Sequence, residues 1–385
     1  MKNIKFKIAG LAASLALSAT TPGVFAADLK IGLITPLSGP ISSQGIPFSK
    51  GIQAGLKYRA EVGGNKIVLI QLDDASDPSA SARNARKLID EEKVDVLIGT
   101  GGVPGSMAIA AASREGKTPL VSFTPLELSG DAAAWAVTTA QPAALMIQAM
   151  VDHMKRSGVK SVGYVGFSDS WGDIAYGALQ KAAAPEISVV ANERYARSDN
   201  TVTGQVLKVV AARPDAVLTG TAGAPGALPY LALAERGYKG ALYGTHGLIN
   251  PDFVRLAGAS AEGLLLPTGP IMVADQLPAS HPSKKAAGEF RSAYQQANSA
   301  VPVDAFSAYA FDAWMVVTNA AARVSPKLKP GTSAYREALR DAIFSTKDLA
   351  VTHGVLNYKP GSSNGADARS VVVVKLEKGQ WVLQK

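Results

Sequence analysis

Short apolar runs alternate with amphipathic stretches along most of the chain, a pattern typical of strands that alternate with helices. The runs at 29–35 (LKIGLIT) and 66–72 (KIVLIQL) are apolar without strict alternation. Parallel strands that are covered on both faces have this character. The pattern therefore predicts an α/β fold in which helices cover both faces of a doubly wound sheet.

The same rhythm starts again after residue 158, which predicts a second α/β block of similar size. Strands are predicted at 29–35, 66–72, 94–99, 119–123, 161–167, 187–193, 216–219, 241–244 and 264–267, with a β-rich tail at 352–358 and 370–376. Helices are predicted at 49–62, 79–92, 106–115, 141–158, 173–184, 203–213, 227–236, 283–298 and 304–322. A chain of 385 residues also favours two domains.

The first 26 residues follow a different pattern. Three lysines within the first seven residues precede an uncharged apolar run at 8–19, and small residues stand at Val24 and Ala26. This order is that of a secretory signal peptide, and the run is too short for a membrane-spanning helix. An ordinary first helix is the alternative. We expect cleavage after Ala26 and an exported protein, in a Gram-negative periplasm or released by another cell type.

Composition narrows the chemistry. The chain has no cysteine, which excludes disulfides, thiolate zinc sites, iron–sulfur clusters, cysteine nucleophiles and a lipoprotein anchor. The net charge of +8 could indicate a protein that binds nucleic acid. However, three of the lysines belong to the predicted signal peptide, and the other basic residues are scattered along the chain. We therefore expect no nucleic-acid partner. Metal-site patterns are also missing from the sequence, and we expect no metal or cofactor.

Ligands of open α/β sheets bind beyond the carboxyl ends of the strands. The loops at these ends are rich in Gly, Ser, Thr and Pro, and they are 36–45, 100–106, 124–127, 168–172, 220–226 and 245–250. Loop 100–106 (TGGVPGS) can bring backbone N–H groups to an anion, although Ser106 as a simple helix cap is the alternative. Trp171 can form a ligand wall or pack on the rim. His246 can donate to an acidic ligand or be a solvated loop residue.

Catalytic patterns fail on inspection. A dinucleotide loop starting at Gly99 would need a glycine where Pro104 stands, and no nucleophile elbow occurs. An exported hydrolase would need Ser106 or Ser170 activated by His246 or His153, without such an elbow. We therefore expect a binding protein rather than an enzyme.

The order of several motifs resembles that of a known family. These are IGLITPLSGP at 31–40, LDD at 72–74 followed by Asp77 and Pro78, VLIG at 96–99, SDSWG at 168–172 and AEGLL at 261–265. The chain resembles the periplasmic substrate-binding proteins of leucine/isoleucine/valine-type ABC transporters, which are type I periplasmic binding proteins.

This resemblance implies a fold of two Rossmann-like lobes that are joined by three crossover strands and close on a ligand. Lobe one would comprise 27–140 plus 272–350, and lobe two 141–271 plus 351–385. It also implies a monomer and an inner-membrane ABC permease as partner.

The resemblance carries over to the site only in part. It implies that the ligand carboxylate is held by loop 102–106 and Thr124. Val103 stands where Ser is common, and Leu126 where a second hydroxyl is expected. Trp171 matches a usual Tyr, and Ala222 a position where another aromatic can sit. The predicted ligand-binding residues are Gln44, Val103, Ser106, Thr124, Leu126, Trp171, Ala222 and His246.

The position of His246 is the most informative departure from the family. Amino-acid binders place a Glu there to hold the ligand's ammonium group, and histidine supplies no negative charge. Burying an ammonium without a charged partner costs several kcal/mol. We therefore hypothesise a small carboxylate ligand without an α-ammonium group, organic or aromatic, packed on Trp171. A true branched-chain amino acid binder and a ligand-sensing receptor subunit are the alternatives.

Overall fold

The structure is a computed structural model that describes residues 27–384. The predicted signal peptide, residues 1–26, lies outside the described residues. Within residues 27–384, no helix combines the length and the apolar character needed to cross a bilayer.

The first sheet has six strands and is parallel except at one edge. Its strands are β1 (Leu29–Thr35), β2 (Glu61–Val62), β3 (Asn65–Asp73), β4 (Val96–Gly99), β5 (Leu120–Ser122) and β6 (Ala136–Thr138). They lie in the order β2-β3-β1-β4-β5-β6, and β2–β3 is the antiparallel pair. Strand β1 lies between two neighbours and is almost wholly buried, which explains why its sequence does not alternate.

The second sheet has seven strands, five of them parallel. These five are β7 (Ser161–Phe167), β8 (Ser188–Tyr195), β9 (Ala216–Gly220), β10 (Ala241–Tyr243) and β11 (Leu265–Thr268). A hairpin of β12 (Leu349–Val351) and β13 (Gly354–Leu356) is separate from both sheets. Strands β14 (Val372–Glu377) and β15 (Gln380–Gln384) then join β11 antiparallel. The order is β15-β14-β11-β10-β9-β7-β8.

Eleven α-helices pack around these sheets in residues 27–384. They are α1 (Ser42–Tyr58), α2 (Pro78–Asp90), α3 (Val103–Glu115), α4 (Ala143–Arg156), α5 (Ser170–Ala183), α6 (Thr203–Ala211), α7 (Leu228–Glu235), α8 (Pro251–Ala257), α9 (Ser283–Asn298), α10 (Phe306–Ala321) and α11 (Ser333–Phe344). Helices α9 and α10 pack on α1 and so return the chain to the first sheet, whereas α4, α5 and α6 contact strands of the second. The predicted α/β class with two doubly wound sheets is confirmed.

The predicted elements differ from the observed ones mainly at helix starts. Helices α1, α3 and α5 begin at Ser42, Val103 and Ser170, three to seven residues before their predicted starts at 49, 106 and 173. Helix α5 begins early because the Asp169 carboxylate accepts hydrogen bonds from the backbone N–H groups of the first turn. The sequence does not predict strands β2, β6 and β15 or helices α8 and α11. The early starts move several predicted loop residues onto helices.

The chain passes between the two sheets three times, and these passages meet at one point. Gln141 follows β6, Gly269 follows β11, and His353 lies in the β12–β13 turn that leads into the last passage. A Cβ atom on Gly269 would lie 2.2 Å from Cδ2 of His353 and 3.0 Å from Nε2 of Gln141. His353 is itself fixed, because its Nδ1 lies 3.0 Å from Oδ2 of Asp312 and the Tyr309 ring stacks on it at 3.5 Å. Position 269 therefore has no room for a side chain.

We expect Gly269→Ala to lower the free energy of unfolding by about 1–3 kcal/mol, because the buried His353 ring cannot move away from the added methyl group. Urea denaturation followed by circular dichroism measures this. Gly177→Ala is the matched control, since Gly177 lies on the exposed face of α5 with no atom within 4 Å of a built Cβ. That change should raise stability by up to about 1 kcal/mol. Equal stabilities of the two variants would contradict the packing argument.

Candidate ligand-binding site

A small cavity lies where the carboxyl-end loops of the two sheets face each other. Its volume is about 30 Å³. Helices α1, α3 and α10 and the loop after β5 form one wall, and α5 with the loops after β8, β9 and β10 forms the other. This is the edge at which open α/β sheets bind ligands.

Most of the predicted site residues meet at this cavity. Those that line it are Gln44, Val103, Thr124, Trp171, Ala222 and His246. The structure does not bring Ser106 and Leu126 to the cavity wall. Leu126 is fully buried in the apolar cluster under the first sheet. Ser106 lies directly behind Thr124, with 2.5 Å between their hydroxyl oxygens. The role of each residue in binding stays a prediction.

The interpretation of Ser106 as a helix cap is wrong. Helix α3 begins at Val103 with Gly102 as its N-cap, so Ser106 lies inside the first turn. Its hydroxyl accepts from the backbone N–H of Thr100 at 3.2 Å and contacts the hydroxyl of Thr124. Ser106 thus supports the wall of the cavity, while the first N–H groups of α3, which have no intrahelical partner, start beside Val103.

Thr124 is held by its neighbours. Its Oγ1 donates to the carbonyl of Thr100 at 3.0 Å and lies 3.2 Å from the hydroxyl of Ser122. The side chain of Thr100 in turn donates to Asp74 at 2.6 Å. Because burial disfavours the charged carboxylate, the pKa of Asp74 is raised. The Thr124 hydroxyl therefore has a fixed place, and it must rotate away from Thr100 to donate to a ligand.

Trp171 and His246 line the cavity, and each has a buried side-chain nitrogen without a partner. Each side chain is no more than 5% exposed, and the rings meet edge to face with centroids 5.5 Å apart. Within the described residues, neither Nε1 of Trp171 nor Nδ1 of His246 has a hydrogen-bond partner. Buried polar atoms are nearly always paired, so these two atoms indicate where a ligand acceptor would bind. Trp171 is thus a cavity wall, and His246 is not a solvated loop residue.

The electrostatics of His246 follow from its burial. Desolvation, with a smaller contribution from His353, lowers the pKa of His246 to about 3. At neutral pH its imidazole is therefore uncharged. A neutral imidazole donates one hydrogen bond and provides no countercharge for an ammonium group.

Sequence reasoning missed several residues of the cavity. Arg197 follows β8 and lines the cavity, and its Nε donates to Oδ2 of Asp169 at 2.6 Å. Ligands of open α/β sheets bind beyond the carboxyl ends of strands, and this applies to the loop after β8 as well. That loop is not among the predicted ligand-facing loops, since the sequence predicts that β8 ends at 193. Phe306 and Tyr309 lie in the first turn of α10, far along the chain, and carry no local signal.

The apolar part of the cavity is aromatic. Phe48 stacks on Phe123 with 3.9 Å between ring centroids and meets Phe306 edge to face at 5.3 Å. None of the described residues that line this cavity is an aspartate or a glutamate, and the carboxylate paired with Arg197, that of Asp169, is not among the lining residues. The arrangement can therefore hold an apolar group and an acceptor, and it has no acidic partner for a cation.

Comparison with known proteins identifies the family of this chain. A family model described as "Periplasmic binding protein" matches residues 28–379. An extracellular ligand-binding receptor from Rhodopseudomonas palustris HaA2 is 39% identical, with a TM-score of 0.87 over 93% of this chain and all of that one. The Leu/Ile/Val-binding protein BraC3 of Rhizobium johnstonii is 23% identical over 97% of this chain and 98% of that protein.

A further solved structure shares the fold at lower identity. It is an ABC transporter solute binding protein from R. palustris in complex with benzoate, 23% identical, with a TM-score of 0.77 over 92% of this chain and 95% of that one. The family match alone spans nearly all of the described residues. The chain therefore belongs to the periplasmic binding protein family.

Proposed function

We propose that this protein is the solute-binding component of an ABC importer and captures a small organic acid without an α-ammonium group. The observation that carries the proposal is the set of polar groups at the cavity. Trp171 and His246 present unpartnered buried nitrogens, Arg197 is already paired with Asp169, and no residue among those described that line this cavity is acidic. Such a set favours an anionic acceptor over a zwitterion.

The carboxylate is best placed between the start of α3 and the Trp171–His246 pair. The first turn of α3 offers free N–H groups and the positive end of the helix dipole. Neutral donors on the opposite wall complete the hydrogen bonding without adding a second charge that would need desolvation. The stacked phenylalanines favour an apolar, planar body for the rest of the acid.

A branched-chain amino acid is the competing ligand, and the names of the curated relatives favour it. Its α-ammonium group would be buried beside a neutral histidine, at a cost of several kcal/mol. The benzoate complex of the R. palustris protein supports an acid ligand on this fold, but at 23% identity it is a precedent for the fold alone.

The remaining parts of the proposal concern the protein as a whole. The proposed bounds are lobe one at 27–140 plus 272–350 and lobe two at 141–271 plus 351–385. Sheet membership supports 27–140 in lobe one and 141–271 with strands β14 and β15 in lobe two, whereas Tyr358 and Ser363 hydrogen-bond to Thr138 and Leu126 of lobe one. The lobes would hinge where Gln141, Gly269 and His353 meet. The protein would be exported to the periplasm after loss of residues 1–26, act as a monomer, and deliver its ligand to an inner-membrane permease. Binding, not catalysis, is the proposed activity.

Titration calorimetry at pH 7.5 tests the ligand class. The panel is benzoate, 4-methylpentanoate, leucine and valine, where 4-methylpentanoate is leucine without its ammonium group. We expect at least one of the two acids to bind about tenfold more tightly than either amino acid, because only the amino acids bury an uncompensated cation. Tight binding of leucine with no binding of either acid would overturn the proposal.

Substitution of His246 tests the same charge argument from the protein side. We expect His246→Glu to weaken acid binding by about 10–100-fold relative to His246→Gln, because the two side chains have similar size and only the first is negatively charged. Calorimetry with the best acid of the panel gives the ratio, and thermal denaturation checks that both variants fold. Equal affinities would show that the ligand's charge is not near residue 246.

Trp171→Phe keeps an aromatic wall and removes the indole N–H. We expect about 10–100-fold weaker acid binding, the range for a lost hydrogen bond to a charged group. Trp135→Phe is the matched control, because Trp135 is also buried but does not line the cavity. Its affinity for the acid should not change. If both variants bind like the unmodified protein, the indole nitrogen does not contact the ligand.

A further inference from the structure

A second, larger cavity adjoins the first. Its volume is about 400 Å³, against about 30 Å³ for the inner cavity, and Gly102 and Arg197 line both. One wall, which includes Pro40 and Pro104, comes from the loops of the first sheet, and the other comes from the loops after β7 and β8. Arg197 lies where the two cavities adjoin, so a ligand that fills the inner cavity and continues outward passes its guanidinium.

Arg197 is fixed at the junction of the two cavities. Its Nε donates to Asp169, and its guanidinium carbon lies 4.0 Å from the centroid of the Phe167 ring. The side chain is 14% exposed. Among residues 27–384 the guanidinium donates this one hydrogen bond, so its two terminal nitrogens remain available to a ligand. A planar group held by an ion pair and a ring is already oriented for that task.

Asp169 ties this arginine to the ligand wall. Its Oδ1 accepts from the backbone N–H groups of Trp171 at 2.9 Å and Gly172 at 3.2 Å, and its Oδ2 accepts from Arg197. The carboxylate thus caps α5, orients the arginine and lines the outer cavity together with it. Movement of the pair would disturb the turn that carries Trp171.

The chemistry of the junction discriminates between possible distal groups. A second carboxylate would accept from Arg197 but would also meet Asp169 and the buried Asp74, which line the same cavity. A purely apolar end would leave the guanidinium nitrogens unpaired. A hydroxyl group can accept from Arg197 and donate to Asp169, and it adds no charge beside the ion pair.

We infer that the outer cavity is a second ligand subsite, in which Arg197 and Asp169 select acids that carry a hydroxyl group at the end remote from the carboxylate. The inference rests on the proposed function, since it requires a carboxylate in the inner cavity. The prolines of the outer walls fit the rigid, apolar spacer that such an acid would place between its two polar ends.

Calorimetry with three acids tests the subsite: benzoate, 3-phenylpropanoate, and 3-(4-hydroxyphenyl)propanoate. The last two differ only in the distal hydroxyl. In the unmodified protein we expect the hydroxylated acid to bind at least about tenfold more tightly than 3-phenylpropanoate, as for a hydrogen bond to a charged group. Benzoate reports whether the inner cavity binds a carboxylate without reaching the second subsite.

Variants of Arg197 then locate the selectivity. In Arg197→Met the preference for the hydroxylated acid should fall to about threefold or less, and Arg197→Lys, which keeps the charge but not the planar fork, should retain part of it. The preference is a ratio measured on one protein, so a partial loss of folded protein does not change it. Arg114→Met is the control, because it removes an exposed ion pair, 3.0 Å from Asp131, outside both cavities. Its preference should equal that of the unmodified protein.

The outcomes separate the two proposals. If the unmodified protein binds both phenylpropanoates equally, or Arg197→Met keeps the full preference, the subsite inference is wrong while acid binding stands. If the unmodified protein binds none of the three acids and binds leucine, both the subsite and the proposed function are wrong. Loss of the preference in Arg197→Met alone supports the subsite.

Discussion

The absence of a side chain at Gly269 is the constraint on which the arrangement of the two sheets depends. Three passages of the chain come into contact there, and a single methyl group would overlap the His353 ring. The ring cannot yield, since Asp312 and Tyr309 hold it on two sides. The hydroxyl of Tyr309 also donates to Gln141 on another of the passages, while the residue lines the ligand cavity. The packing of the passages therefore sets one wall of the site.

The site itself combines buried donors with a scarcity of charge. His246 is neutral because the cavity is too well buried to accommodate its protonated form. The guanidinium of Arg197 forms an ion pair with the carboxylate of Asp169, which also caps α5. One aspartate thus serves the helix start, the arginine and the turn that carries Trp171. Because the same carboxylate makes all of these contacts, the stability of α5 and the shape of the site depend on each other.

Sequence reasoning succeeded where the signal was local. Strand β1 was predicted to the residue because its apolar run is continuous and ends in a Pro–Gly-rich loop. It failed at helix starts, because Gly45 and Pro47 resemble loop residues although α1 includes both. Helix α11 was also missed, although its Thr332 cap and the four-residue spacing of buried Tyr335 and Leu339 were readable. The cap lies in a polar, proline-containing stretch that does not resemble a helix start.

The sequence by itself determined the α/β class, the presence of two sheets and the loops that would face a ligand, because these follow from hydrophobic period and turn chemistry. The family resemblance adds that amino-acid binders have a Glu where this chain has His246. Only the tertiary structure decided which side chains meet. Arg197 comes from a loop and Tyr309 from a helix far along the chain. Ser106 lies behind Thr124, and Leu126 is buried in an apolar cluster, so neither lines the cavity. The physical reason is that burial, which controls the charge of His246 and the pairing of each donor, depends on contacts between segments that no local pattern encodes.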